Sequence, residues 1–228
     1  MKNQNIFSDF AENLELTIPA DTTFEEHISD VREWHRKRLG KFTASRIAKI
    51  MQGGRRKDEL FGQGAMTEIL KIAAERDLTP AGQYQYIDQL ISNDFKQTRW
   101  GNDNEPIALD LIGAVKVRGR SHPHFPMFGA SPDGELSDGT LVEVKCPWTI
   151  EKHKLYGRLT SAEDNEYFAQ MQAQMAVFDA PEVMFVSYDP RSNTPLYFQT
   201  VARNDEYIAD MLHRISEAEK IINQINSK

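Results

Sequence analysis

The chain has 228 residues and a formal net charge of −7, from 27 lysines and arginines against 34 acids. Hydrophobic residues make up 40% of it and charged residues 27%, which is ordinary for a globular protein and excludes a disordered or fibrous one. The single cysteine, Cys146, excludes an internal disulfide framework and any zinc or iron–sulfur site built on several thiolates.

The opening residues carry acids and lack the unbroken apolar stretch of a signal peptide. No apolar run approaches the ~20 residues that a transmembrane helix needs. We therefore expect a cytoplasmic protein without a membrane partner.

The charge is distributed unevenly along the chain. Residues 31–57, hereafter the basic window, contain ten lysines and arginines and one acid, so they carry +9 and the rest of the chain carries −16. A local basic block in an acidic protein favours a polyanionic ligand that binds at one place. A solvated helix face is the alternative explanation.

The first half of the chain reads as helical. Residues 1–24 show no clear period and are predicted to form an arm. Threonines at 22 and 23, with glutamates three residues on from each, predict the cap of a helix that ends near Arg38, before Gly40. Further helices are predicted at 44–51, 64–77, 83–95 and 100–112.

The second half alternates between extended and helical patterns. Strands are predicted at 114–118, 125–136, 141–148, 182–188 and 196–203, and helices at 162–178 and from about 205 to 226. An Asp-Gly pair within residues 137–140 predicts a hairpin between the second and third of these strands. The order predicts an α+β fold with a mixed central sheet flanked by helices, in a single domain over 1–228. Its parts are an arm (1–24), a mainly helical part (25–113), and a part with the sheet and its helices (114–228).

One acidic motif on the predicted hairpin suggests chemistry. Asp133 lies in Ser-Pro-Asp-Gly, and Glu143 and Lys145 follow in Glu-Val-Lys. Residues i and i+2 of a strand point to one face, so Glu143 and Lys145 share a face and the hairpin can bring Asp133 alongside. Two adjacent carboxylates are costly to bury unless a cation lies between them, and hard oxygen ligands suit Mg²⁺ or Mn²⁺. The combination predicts a metal-dependent nuclease site in which Lys145 holds or deprotonates the attacking water.

Each half of this motif also has an ordinary structural explanation. Pro-Asp-Gly is a common turn, and a Glu-x-Lys pair on a strand is a common solvated ion pair. It is their conjunction that favours a metal site.

Five motifs occur in the order of a known family. They are WHRKRLGKFTAS (34–45), WGNDNE (100–105), SPDG (131–134), EVKCP (143–147) and YFAQMQ (167–172). This series resembles the phage lambda exonuclease family (YqaJ-type viral recombinase exonucleases of the PD-(D/E)xK superfamily), over roughly residues 31–203. The resemblance implies a restriction endonuclease-like core with an N-terminal helical region, so that 1–228 would be one exonuclease domain.

The resemblance also implies roles for individual residues. Asp133 and Glu143 would be metal ligands, helped by the backbone carbonyl of Val144, and Lys145 would be the catalytic lysine. Glu105 would bind the metal directly or through a water.

Other positions would assist or hold DNA. Gln170 would assist catalysis from a nearby helix. Arg38 and Ser45 would hold the 5′-terminal phosphate, consistent with the basic window. Arg36 is a further candidate DNA contact. The family pattern places an arginine near where this chain has Glu151, so Lys152 or Lys154 is the candidate to replace it.

The implied activity is a Mg²⁺-dependent 5′→3′ exonuclease, with two ions per site and Mn²⁺ as a possible substitute. It would degrade one strand of linear double-stranded DNA, preferably 5′-phosphorylated, and leave 3′ single-stranded overhangs for recombination by annealing. A homotrimer, a single-strand annealing protein as partner and a bacterial host cell are implied as well. A site-specific endonuclease on the same core, or a catalytically inactive DNA-binding or scaffold protein, are the alternatives.

Five other residues are expected to have structural roles. Cys146 alternates onto the core side of its strand and is expected to be an inert thiol. The pair His122 and His124 could suggest zinc but lacks a thiolate partner. Trp34 and Trp100 are expected to be core anchors rather than base-stacking platforms.

Overall fold

A computed structural model describes residues 24–56, 58–92 and 96–227 of the chain. The predicted arm, the threonine cap at 22 and 23, and the last residues of the helix predicted at 83–95 lie outside these ranges.

The first half of the described chain is helical, as predicted. Gly40 adopts a φ of +68°, which allows the chain to turn sharply after the first helix. The elements are α1 (Phe24–Arg38), β1 (Phe42–Thr43), α2 (Ala44–Ile50), α3 (Gln63–Arg76), α4 (Pro80–Ser92) and α5 (Lys96–Ile112).

The second half combines short and long strands with three helices. Asn204 caps the last helix, because its side chain accepts a hydrogen bond of 2.9 Å from the Tyr207 N–H. The elements are β2 (Arg120–Ser121), β3 (Phe128–Ala130), β4 (Gly134–Glu135), β5 (Leu141–Lys145), α6 (Ile150–Tyr156), α7 (Phe168–Phe178), β6 (Glu182–Tyr188), β7 (Leu196–Ala202) and α8 (Asp205–Asn226).

The strands form two sheets. The larger one has the order β4-β5-β6-β7, in which β5 and β6 are parallel and the other two pairs antiparallel. The chain crosses from β5 to β6 through α6 and α7, as a parallel pair requires. The smaller sheet has the order β1-β3-β2, so the helical first half contributes a strand to it. This confirms the prediction of a mixed sheet flanked by helices.

Both faces of β5 are covered, and this positions the acidic motif. On one face, Leu141 packs with Met171 and Met175 of α7 in the larger core cluster. On the other face, Val142 and Val144 join Ala108 and Leu109 of α5 in a second cluster. A side chain that points toward α7 from the middle of β5 is therefore buried.

Two predicted strands are wrong in extent. Residues 114–118 do not form a strand: Val115 makes an isolated bridge to Glu135 and its side chain is 72% exposed. An alternating pattern forms a strand only where a partner lies along its length. The stretch 125–136 splits into β3 and β4, which lie in different sheets. Pro132 between them cannot donate a ladder hydrogen bond.

Helical boundaries also differ in the second half. The helix predicted at 162–178 begins only at Phe168, because the Asn165 side chain accepts from the Tyr167 N–H at 3.0 Å and favours a turn there. The short helix α6 was not predicted, since its seven residues are too few for a clear period. No helix in the described ranges is long and apolar enough to span a membrane.

Candidate active site

The hairpin between β4 and β5 sets Asp133 beside the middle of β5. The backbone N–H of Asp133 donates to the Val142 carbonyl at 3.0 Å, and its Oδ2 accepts from the Val144 N–H at 2.7 Å. Glu143 lies between those two residues and is 0% exposed. Gly139 turns the hairpin with a φ of +89°. The predicted placement of Asp133 alongside Glu143 is confirmed.

The two carboxylates lie in a costly environment for two negative charges. Burial raises the pKa of Asp133 well above its usual range, and the neighbouring charge of Glu143 raises it further. The positive charge of Lys145 and the Val144 N–H oppose this rise. A divalent cation held by the two carboxylates would remove the repulsion, and an all-oxygen donor set is the kind that Mg²⁺ or Mn²⁺ takes.

Three side chains donate to Glu143. Its Oε1 accepts from Lys145 Nζ and from Gln170 Nε2, the latter at 2.6 Å, and its Oε2 accepts from Gln174 Nε2. Gln170 was predicted to assist and Gln174 was not, although the four-residue spacing on α7 places both on one helix face. The Oε1 of Gln174 is buried and has no hydrogen-bond partner.

Lys145 is a fixed cation at the edge of this group. Its side chain is 25% exposed, and Nζ lies 4.7 Å from the centroid of the Tyr167 ring. Burial would lower the pKa of Lys145, but the charges of Glu143 and Asp133 outweigh burial and raise it. Lys145 is therefore protonated, ready to hold a water or to balance negative charge.

Glu105 approaches this group from α5. Its charge contributes to the raised pKa of Asp133, while its Oε1 pairs with Lys116 Nζ at 3.3 Å. Within the described residues, no set of three or more histidine, cysteine, aspartate or glutamate side chains is arranged to hold a metal. A role for Glu105 as a third ligand stays a prediction.

A cavity of about 570 Å³ opens beside Lys145. It joins residues from both halves of the chain, because Ser45 and Ala48 of α2 face Gln170 of α7 across it. Its lining residues are Ser45, Ala48, Gln97, Thr98, Lys145, Glu166, Tyr167 and Gln170.

Arg38 and Ser45, the predicted phosphate-binding pair, are in direct contact. Arg38 Nη2 donates to Ser45 Oγ at 2.9 Å and to Thr43 Oγ1 at 3.4 Å, and its guanidinium lies 4.2 Å from the Trp34 ring centroid. Burial and the charge of Arg46 lower the pKa of Arg38 to about 10, although Glu143 opposes the shift. The sequence did not indicate Thr43 as a phosphate contact, and it joins the pair because β1 turns directly into α2.

The other two predicted DNA contacts are exposed and ion-paired. Arg36 Nε lies 2.6 Å from Glu33 Oε2 on its own helix. Lys152 Nζ lies 3.1 Å from Oε1 of Glu166, a residue that lines the cavity. Lys152 is therefore at the cavity rim, whereas Arg36 is not among the lining residues.

Part of the basic window is structural rather than a surface for a ligand. Arg46 makes ion pairs with Glu68 at 2.9 Å and with Glu75, and both acids are buried. Lys49 adds a pair with Glu68 at 3.0 Å. The count of charges in the window therefore overstates what is available to a polyanion.

Cys146 and His122 have the structural environments that were expected. Burial, with the nearby charges of Glu105 and Asp133, raises the pKa of the Cys146 thiol to about 12, so it is not a nucleophile at neutral pH. His122 packs on the Phe128 ring, and its Nδ1 accepts from the His124 N–H at 3.2 Å. The expectation for Trp34 is wrong: it is 49% exposed, under the Arg38 guanidinium.

The comparisons with known proteins agree with this geometry. The sequence profile of the YqaJ-like viral recombinase domain matches residues 33–181, well over half of the chain. The crystal structure of the alkaline exonuclease LHK-Exo from Laribacter hongkongensis matches with a TM-score of 0.68 and 27% identity, over 86% of this chain and 94% of that one. The structure of LHK-Exo in complex with dAMP matches with a TM-score of 0.61 and 28% identity, over 86% and 96%.

A phage-related exonuclease from Haemophilus somnus 129PT has the same fold, with a TM-score of 0.61 and 19% identity over 82% of this chain and 95% of that one. No curated protein sequence matches the chain. These likenesses confirm the PD-(D/E)xK-type nuclease fold that the motifs implied. The chain therefore belongs to the YqaJ-like viral recombinase family, the family of lambda-type recombination exonucleases.

Proposed function

We propose that this protein, a deoxyribonuclease of the exonuclease type with a role in recombination, degrades one strand of linear double-stranded DNA from its 5′ end. The products would be mononucleotides and 3′ single-stranded overhangs. A 5′ phosphate on the substrate would be preferred. The overhangs would then serve homologous recombination by single-strand annealing.

One observation carries this proposal: a single cavity joins Ser45 to Lys145 and Gln170. Ser45 accepts a hydrogen bond from Arg38, and Lys145 and Gln170 donate hydrogen bonds to Glu143. A guanidinium and a hydroxyl at one side can hold a terminal phosphate, while the acidic group at the other side cuts the next phosphodiester. The relative LHK-Exo was crystallised with dAMP, a deoxynucleoside monophosphate. A cavity of about 570 Å³ has room for a nucleotide of that class.

The chemistry requires a divalent metal, and we propose Mg²⁺, with two ions per site and Mn²⁺ as a substitute. Asp133, Glu143, the Val144 carbonyl and Glu105 are the groups that would hold it. When bound, the metal would lower the pKa of a water and neutralise charge on the phosphate.

The remaining side chains act on position and charge. Gln170 and Gln174 fix the two oxygens of Glu143, so that the carboxylate is oriented before substrate arrives. Lys145, held by Glu143 and by the Tyr167 ring, places a positive charge where the pentavalent phosphate develops negative charge. Arg38 and Ser45 would hold the 5′ end of the strand, and so determine which phosphodiester lies beside the acidic group.

The decisive experiment is a time course on end-labelled linear duplexes in Mg²⁺, with EDTA as the metal-free control. We expect nucleotides to be released from the 5′ end only, faster from phosphorylated ends, and no cutting of a closed circular plasmid. Asp133→Ala, Glu143→Ala and Lys145→Ala should each lower the rate by orders of magnitude, because they disable one shared unit. Asp110→Ala, an exposed acid on α5, is the control.

Each other outcome favours an alternative. Cutting of the circular plasmid would indicate an endonuclease, and release from the 3′ end would reverse the proposed polarity. Wild-type protein that binds DNA but releases nothing in Mg²⁺ or Mn²⁺ would indicate a DNA-binding or scaffold protein.

We also propose that the protein is a homotrimer that hands its product to a single-strand annealing protein, as the lambda exonuclease resemblance implies. Light scattering should then give a mass about three times 26.1 kDa. A monomer at micromolar concentration that still degrades long DNA processively would contradict the trimer.

A further inference from the structure

Two tryptophans and an arginine form a cluster at the carboxyl end of β5. The Trp100 and Trp148 ring centroids are 5.9 Å apart and their planes are at 84°, an edge-to-face contact. The Arg191 guanidinium lies 4.3 Å from the Trp100 centroid. We call Trp100, Trp148 and Arg191 the stacking cluster. Trp148 is the exposed tryptophan of the cluster, with 43% of its surface accessible.

Trp148 is held in place by more than its ring contacts. Arg191 Nη2 donates to the Trp148 carbonyl at 2.9 Å and to the Pro147 carbonyl at 3.4 Å. Asp189, which is 0% exposed, fixes the guanidinium by accepting hydrogen bonds of 2.9 Å from Nε and from Nη2. A large aromatic side chain on a backbone fixed in this way loses little conformational entropy when a ligand stacks on it.

Two segments of the chain connect the stacking cluster to residues that line the cavity of the proposed active site. Trp148 follows Lys145 by three residues, across the end of β5. Trp100 is in the same first turns of α5 as Gln97 and Thr98, which line the cavity. A strand that leaves the cavity along the α5 side would therefore pass close to the stacking cluster.

The surroundings of Trp148 suit a nucleic acid. A groove of about 590 Å³ runs beside Arg191. Exposed Lys154 and Arg158 contribute positive charge to it, and exposed Ile150 and Leu155 contribute apolar surface. Of its two acids, Asp189 is paired with Arg191 and Glu151 is exposed, so the groove keeps a small excess of positive charge from Lys154 and Arg158. Basic and aromatic groups side by side are the combination that holds single-stranded nucleic acid, by phosphate contacts and base stacking.

We propose that Trp148, supported by Trp100 and Arg191, is a stacking site for one unpaired base of the DNA strand near the cavity. The ligand is a nucleobase of the substrate, and the contact is tolerant of sequence because every base presents a π-face. This inference rests on the proposed function, since it takes DNA as the substrate. Trp148 positions the strand and takes no part in bond cleavage.

The test is a double-mutant cycle in which Trp148 and individual DNA bases are changed separately and together. Binding is measured in EDTA so that no DNA is cut. Fluorescence anisotropy gives the affinity of wild type, Trp148→Leu and Trp148→Phe for a 5′-phosphorylated duplex, and for duplexes that lack one base at each position near the 5′ end. Trp148→Leu keeps an apolar side chain at this position but removes the π-face. Phe198→Leu, on an exposed aromatic of β7 (56% exposed), is the matched control.

We expect Trp148→Leu to weaken binding about tenfold, Trp148→Phe to retain most of the affinity, and Phe198→Leu to match wild type. At one position, removal of the base should weaken DNA binding by the wild type about as much as Trp148→Leu weakens binding of the intact duplex. On the duplex that lacks this base, Trp148→Leu and the wild type should bind with equal affinity. In Mg²⁺, Trp148→Leu should raise KM and leave kcat unchanged at saturating DNA.

The proposal is overturned if Trp148→Leu binds all duplexes within twofold of wild type, or if it weakens all of them equally without coupling to any base. Wild-type protein that binds no DNA in EDTA and releases no nucleotide in Mg²⁺ would overturn both this proposal and the proposed function. A wild type that shows the coupling in EDTA but releases no nucleotide in Mg²⁺ would overturn the exonuclease and leave the stacking site intact.

Discussion

Gln174 donates a hydrogen bond from Nε2 to Oε2 of Glu143, and both side chains are 0% exposed. The carbonyl oxygen of the same amide is buried without a partner. The amide group is oriented by the carboxylate, since the reverse orientation would set two oxygens against each other. A buried acceptor without a partner costs roughly 1–3 kcal/mol, so the hydrogen bond to Glu143 decides the orientation of this amide. That cost is understandable where a carboxylate must be held for a metal.

Gln174→Leu should lower metal affinity and the cleavage rate more than it lowers the stability of the fold. The variant removes the donor to Glu143 but also removes the orphan oxygen, so the free energy of unfolding should fall by no more than about 1–3 kcal/mol. We expect the cleavage rate to fall about 10- to 100-fold and the half-saturating Mg²⁺ concentration to rise, as for other partners of metal ligands. Binding of Mn²⁺ measured by calorimetry should weaken in parallel.

Gln172→Leu is the matched control on the same helix. Its Nε2 donates to the Ala202 carbonyl at 2.9 Å and its Oε1 accepts from the Asn204 N–H at 2.8 Å, both away from Glu143. This variant should lower stability by a comparable amount or more and leave metal affinity unchanged. Equal effects of the two variants on metal affinity would show that Gln174 acts only through the fold.

Arg38→Ala should reduce discrimination between 5′-phosphate and 5′-hydroxyl ends. A terminal phosphate carries close to two negative charges, and Arg38 offers a guanidinium already positioned by Ser45 and Trp34. We expect a loss of about 1.5–3 kcal/mol for Arg38→Ala and about 0.5–1.5 kcal/mol for Ser45→Ala in binding of the phosphorylated end. Initial rates on paired substrates that differ only at the 5′ end measure this. If Arg38→Ala slows both ends equally, the terminal phosphate binds elsewhere.

Arg46→Ala should destabilise the fold, although Arg46 lies in the same basic window. Its guanidinium neutralises Glu68 and Glu75, and the side chain is only 16% exposed. The variant leaves buried Glu75 without Arg46 and Glu68 with Lys49 alone, at a cost of about 3–5 kcal/mol, which urea denaturation would detect. Arg56→Ala, at a side chain 71% exposed, should change stability by less than about 0.5 kcal/mol. Similar unfolding free energies for the two variants would contradict this assignment.

Stability should fall when His122 is forced to take up a proton. Burial lowers the pKa of His122, and the charge of His124 lowers it further. The unfolded chain then binds the proton more readily, so stability from this group is present above the unfolded pKa near 6.5 and is lost as pH falls below it. His122→Asn should cost about 0.5–1.5 kcal/mol at pH 7.5 through lost ring stacking. Its deficit relative to wild type should shrink at pH 5.5, and a constant deficit in urea denaturation would contradict the argument.

Local patterns determined the acidic hairpin. The Asp-Gly turn fixes the register between β4 and β5, and this register pairs Gly134 with Val142, so that Asp133 lies beside Glu143. The same reasoning holds for α8, where the cap at Asn204 and a long apolar period both lie within one segment. Contacts between residues on one turn or one helix follow from spacing, because the backbone between them has few conformations.

Local patterns failed where a neighbour from elsewhere decides the conformation. Residues 114–118 alternate as a strand does, yet the sheet offers them one bridging residue, Glu135. The charges of the basic window could be counted, but which cations remain available was decided by Glu68 and Glu75 on α3.

The sequence by itself determined the family, the mixed sheet and the pairing of Asp133 with Glu143. Only the tertiary structure brought Ser45 of α2 into one cavity with Lys145 and Gln170, and set Arg191 against Trp148. These contacts join segments that are 25 or more residues apart along the chain. Their geometry is fixed by how α2, α5 and α7 pack on the sheet, and packing depends on the shapes of all the surfaces that meet, which no local period encodes.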